Sequence, residues 1–111
     1  MNLKDSDTLL IVKIKSQDYD YTSGWKISPI RLLNTKYMIV LYNQKILITK
    51  QIGNKLEYNL ENGRIKFKEL EDIELMYNQK NIIGEKIIYN TSNPATLCTA
   101  KKLLSIISDN D

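Results

Sequence analysis

The chain has 111 residues, 42% hydrophobic and 26% charged, which is the make-up of one globular domain that can bury its own core without metal or disulfide staples. It holds one cysteine, so no intramolecular disulfide can form. It holds no histidine, which removes Ser-His and Cys-His nucleophile activation, His-containing zinc sites and the commonest general base. The net charge of +3 is uneven: residues 21–70 carry nine basic side chains against three acidic ones (Glu57, Glu61, Glu69), a pattern that fits an anionic partner or a solvated sheet whose lysines blunt its edges.

The N-terminal segment has no basic stretch ahead of an apolar run. Leu9 to Val12 is too short for a signal peptide or a membrane span, so a cytoplasmic protein with no transmembrane segment is expected. Thr8 to Lys15 alternates as a half-buried strand. Ser16 to Gly24 is polar and reads as a loop. Trp25 to Leu33 is expected to be a second strand, with Pro29 marking an edge or a bulge because it cannot donate to a ladder. Lys36 to Tyr42 is a third strand, and its run Met38-Ile39-Val40-Leu41 should be the most buried. Asn43-Gln44 turns the chain into a fourth strand, Lys45 to Gln51.

Leu56, Tyr58 and Leu60 alternate with polar residues, and Asn62-Gly63 supplies a turn into a strand holding Ile65 and Phe67. A further strand is expected over Glu71 to Tyr77, a turn over Asn78 to Asn81, and a last strand over Ile82 to Tyr89. Tyr-Asn-Gln-Lys occurs at residues 42–45 and 77–80, which reads as two similar turns. The spacing then predicts a helix from Asn93 to Ser108. Asn93 suits the cap and Pro94 the first helical position, while Leu97, Ala100, Leu103, Leu104 and Ile107 share one face. Leu104, at the centre of that stripe, is expected to pack on Val40 or Phe67.

These elements give a mainly β fold (α+β by count) in one domain over residues 1–111. Seven or eight short antiparallel strands would curl into a barrel or sandwich, capped by one C-terminal helix. That order resembles the pleckstrin-homology-like superfold, in particular its GRAM and prokaryotic branches. Leu33-Asn34-Thr35-Lys36-Tyr37-Met38-Ile39 is similar to one of its strand elements. Phe67-Lys68-Glu69-Leu70-Glu71-Asp72-Ile73 is similar to another. The strand rhythm also resembles the N-terminal domain of archaeal adaptors that join chemotaxis proteins to the archaellum motor.

The resemblance implies a binding module rather than an enzyme. Phosphoinositide-binding members carry basic residues at the end of the first strand, which Lys13 and Lys15 match. They carry a basic-x-Arg pattern in the second, where Lys26-Ile27-Ser28 has Ser28 in place of the Arg and Arg31 comes later. Asp18 and Asp20 in the intervening loop would repel a lipid phosphate. The departure moves weight from lipid headgroups to protein partners.

No glycine-rich phosphate loop occurs, and no catalytic, cofactor or metal site is expected. Glu69, Glu71, Asp72 and Glu74 form the one acidic cluster and fit a solvated edge or a carboxylate pair. Cys98, placed one helical turn from Lys102, fits an inert thiol or one activated by that cation. Asn90-Thr91-Ser92 is a formal sequon without meaning in the cytoplasm. Lys13, Lys15, Tyr19, Tyr21, Trp25, Lys26 and Arg31 are the candidate partner-binding residues. Trp25 is either an exposed anchor or a closure of the barrel. The expected function is a non-enzymatic protein-interaction or adaptor module, with single-stranded nucleic acid and an anionic membrane surface as the alternatives. Clustering of the basic residues into one patch would discriminate among them.

Overall fold

The computed structural model describes residues 1–77, 79–87 and 93–109, apart from the side chains of residues 108 and 109. Its frame is a five-stranded sheet. β1 (Thr8–Lys13) lies between β10 (Ala95–Thr99), which is antiparallel to it, and β3 (Thr35–Tyr42), which is parallel; β4 (Lys45–Ile52) and β7 (Leu70–Asp72) follow. A second sheet has the order β2 (Ser23–Lys26), β6 (Arg64–Phe67), β5 (Leu56–Asn59). β8 (Met76–Tyr77) and β9 (Lys80–Asn81) form a small hairpin.

β1 and β3 are central strands covered on both faces, so the half-buried alternation expected over Thr8 to Lys15 is corrected: a strand packed on both sides carries a continuous apolar run. Leu9, Leu10, Ile11 and Val12 are buried throughout, and so are Met38, Ile39, Val40 and Leu41, as expected. Pleating splits them between two cores. Leu9, Ile11, Tyr37, Ile39 and Leu41 face α1 (Ala100–Asp109) and pack with its Ala100, Leu103, Leu104 and Ile107. Leu10, Val12, Met38 and Val40 face the second sheet and pack with Trp25, Ile27, Ile65 and Phe67. The order of layers is helix, five-stranded sheet, three-stranded sheet.

Asn43 and Gln44 both adopt left-handed backbone (φ 51° and 65°), and that two-residue loop matches the twist of the β3–β4 hairpin. Gly63, at φ 70°, supplies the left-handed position before β6.

Several expectations are corrected. The described residues form ten short strands rather than seven or eight, the sheets do not close on themselves, and β1 and β3 run parallel. The second strand stops at Lys26, and Pro29–Leu32 turn as a 3-10 helix with proline at its start. The strand expected over Glu71 to Tyr77 splits into β7 and β8. Residues 82–87 form no strand and meet β4 through an isolated bridge of Lys86 with Lys45 and through the Gly84 N–H, which donates to the Ile46 carbonyl at 2.7 Å. Tyr89, Asn78 and the segment 90–92 lie outside the described residues.

The largest correction concerns the C-terminal element. Residues 95–99 are a strand paired with β1, and the helix begins at Ala100. Asn93 and Pro94 therefore lead into a strand, and Leu97 packs with the second-sheet core instead of the helix stripe. The cap of the helix is Thr99, whose Oγ1 accepts from the Lys102 N–H at 3.3 Å. The first two helical N–H groups donate to the carbonyls of Asp7 (2.8 Å) and Asp5 (3.2 Å), so the start of the helix is tied to the start of β1. Leu104 is buried, as expected, but against the α1-side core and not against Val40 or Phe67.

Candidate functional site

An open cleft of about 650 Å³ lies where β10 of one sheet and β2 of the other diverge. The end of β1 contributes Lys13, and the segment after it Lys15 and Tyr19. β2 and the turn after it contribute Gly24, Trp25, Lys26, Ile27 and Arg31. The opposite wall is Asn93 to Leu97, leading into β10. Six of the seven candidate residues (Lys13, Lys15, Tyr19, Trp25, Lys26 and Arg31) thus line one space. Tyr21 does not. It packs half-buried at the second-sheet core, with the Lys50 ammonium 6.0 Å from its ring centre.

Arg64 is a lining residue that sequence reasoning missed. It stands opposite Lys26 in the β2–β6 ladder, and its guanidinium donates to the Gly24 carbonyl. Only the pairing of two segments distant in sequence brings it there. The wall from Asn93 to Leu97 was missed for the same reason, since it was expected to be helical.

Trp25 is not an exposed anchor. It is 3% exposed, and its Nε1 donates to the Tyr21 carbonyl at 2.8 Å, which satisfies the buried indole. Tyr19 is 46% exposed and tilts against it, with ring centres 6.0 Å apart. The indole is therefore a wall of the cleft, and Tyr19 is the aromatic at its rim.

Among the described residues, no aspartate or glutamate lines the cleft. Asp20 turns into its own loop, where its Oδ1 accepts from both the Thr22 N–H (2.9 Å) and the Thr22 hydroxyl. These bonds, the hydroxyl foremost, hold its carboxyl below the usual carboxylate range. The Asp18 N–H is taken up by the Ser16 hydroxyl at 3.2 Å. Neither Asp18 nor Asp20, the two loop acids expected to repel a phosphate, lines the cleft. Among the described residues, no ion pair neutralises Lys15, Lys26 or Arg31. Like charges converging over an apolar floor focus a positive potential into the cleft.

The other candidates separate from this site. Asp72 pairs with Lys50, Glu69 lies 3.8 Å from Lys55, and among the described residues no group of three potential metal ligands comes together. Cys98 sits on β10, opposite Leu9. Burial pushes its thiol above the usual range, and Lys102 only partly offsets this, the reverse of activation. No helix among the described residues is long and apolar enough to cross a membrane. The chain matches no family model, no curated protein and no solved structure, so what the cleft holds is a question for its own side chains.

Proposed function

We propose that the chain is a cytoplasmic, non-enzymatic interaction module that binds an acidic segment of a partner protein in the basic cleft. The observation that carries this reading is the convergence of Lys15, Lys26, Arg31 and Arg64, with Lys13 beside them, on one open space that no described carboxylate lines. The pleckstrin-homology-like resemblance supports it, because that superfold serves widely as a docking module. The sequence has no histidine, and the described lining residues hold no nucleophile–base pair, which favours binding over turnover. Tyr19 at the rim offers an exposed aromatic edge of the kind that anchors protein partners.

The test is a panel of three probes titrated at low and moderate salt: an acid-rich ten-residue peptide, a single-stranded oligonucleotide, and vesicles containing an anionic lipid. The peptide binds, weakens as salt rises, and loses at least tenfold in affinity (about 1.4 kcal/mol) on Lys26→Glu/Arg31→Glu. Binding of the oligonucleotide or the vesicles with none of the peptide overturns the protein-partner reading. Turnover of a metabolite by the purified chain would overturn the non-enzymatic one.

A further inference from the structure

We infer that the acidic segment binds as an added strand, hydrogen-bonded to the outer edge of β10. The inference rests on the proposed function and specifies its geometry.

The bonds that frame the β1–β10 ladder fix which backbone groups face outward. The Lys13 N–H donates to the Pro94 carbonyl, and the Ala100 N–H donates to the Asp7 carbonyl, both at 2.8 Å. In an antiparallel ladder such bonds flank the non-hydrogen-bonded pairs, here Val12 with Ala95 and Thr8 with Thr99. Thr96 and Cys98 therefore turn their N–H and C=O groups toward β1. Ala95, Leu97 and Thr99 turn theirs away from it, and no described strand takes them up.

Three of the usual guards, charge, proline and a bulge, are missing from this edge. Its sequence, Ala95-Thr96-Leu97-Cys98-Thr99, has no charge and no proline, and its register with β1 runs without a bulge. Pro94 falls on the inward parity, so its missing N–H blocks nothing on the outer side. Ala95 and Leu97, two of the outward-facing residues, both line the cleft. A row of backbone groups ready for pairing thus runs along the wall of the cationic space.

A strand laid there would lie about 4.8 Å from β10, with every second side chain directed to one face. Acidic residues on that alternate set would meet the cleft's cations. Backbone pairing would supply affinity, and the cations would select the charge. Thr96, in the same wall, has the one buried side-chain oxygen or nitrogen without a partner among the described residues. A hydroxyl or amide side chain beside it on the incoming strand would satisfy it.

The test uses a ten-residue peptide alternating Glu with Thr or Val, and two copies of it N-methylated on alternate residues, one copy for each parity. Affinities are read by fluorescence anisotropy at low salt. Strand addition predicts that one methylated copy loses at least tenfold while the other binds within about threefold of the parent. It also predicts that amide hydrogen exchange at Ala95 and Leu97 slows on binding, while that at Thr96 and Cys98 is unchanged. If both methylated copies bind like the parent, or exchange at Ala95 and Leu97 does not change, strand addition is wrong and the acidic-segment reading stands. If the parent peptide does not bind at all, the acidic-segment reading fails and takes the inference with it.

Discussion

The two faces of the five-stranded sheet are built from alternate residues of the same strands, yet they end differently. On the α1 face, Leu9, Ile11, Ile39 and Leu41 are sealed under Leu103, Leu104 and Ile107, and the helix start is fastened to Asp5 and Asp7. On the other face, Leu10, Val12, Met38 and Val40 are covered by the short second sheet, which diverges from β10 and leaves the basic cleft. A closed face can be optimised for packing alone. The face that must admit a partner keeps charged residues at its rim and gives up part of its cover.

The sharpest way to break this contrast is to open the sealed face. Leu104→Ala removes a buried side chain from the centre of the helix stripe and should cost about 2–5 kcal/mol, read from a urea titration. Lys101→Ala, on the exposed side of the same helix, should change stability by about 0.5 kcal/mol or less. Equal midpoints for the two variants would mean that the helix does not seal its face.

On the cleft side, Trp25→Phe leaves a gap in the second-sheet core and strands the Tyr21 carbonyl. The expected loss is about 1–3 kcal/mol, measured by the same titration with circular dichroism as the signal. A loss as large as that of Leu104→Ala would show that both faces are equally closed.

The smallest effect concerns the fastening of the α1 face. Burial acts to raise the Asp7 carboxyl pKa, but the Lys4 N–H at 3.0 Å and the Lys36 ammonium at 3.2 Å together outweigh it, and the net shift is downward from 3.8. A carboxylate with a depressed folded pKa contributes stability that is complete above the unfolded value. That contribution is lost as the pH falls through the folded one. The urea midpoint of the native chain should therefore drop more steeply below about pH 4 than that of Asp7→Asn. Parallel curves would show that Asp7 contributes no acid sensitivity. Asp20 and Glu57 shift in the same direction and act equally in both proteins.

What was legible in the sequence follows from how far apart the interacting residues lie. The β3–β4 hairpin and its Asn43-Gln44 turn were read correctly, because pattern and turn are contiguous. Six cleft residues were read as one group because they fall on β1, on β2 and on the segments that follow each. β10 was misread because Leu97, Ala100, Leu103, Leu104 and Ile107 do have helical spacing, and Asn93-Pro94 is a sound helix start. Pairing with β1, from the other end of the chain, overrode that local signal. Arg64 was invisible for the same reason, as nothing near it in sequence announces its place opposite Lys26.

The pairing of β1 with β10 also sets the order in which the protein can be completed on the ribosome. β1 is made before its antiparallel partner and before the helix that covers Leu9 and Ile11, with eight strands between them. In the interval between them those side chains have no lid, and one edge of β1 has no partner. Contacts between segments so distant form slowly, because the loop between them must be closed before they gain anything. Until Ala95–Thr99 has been made, the edge of β1 that it covers is open to mispairing.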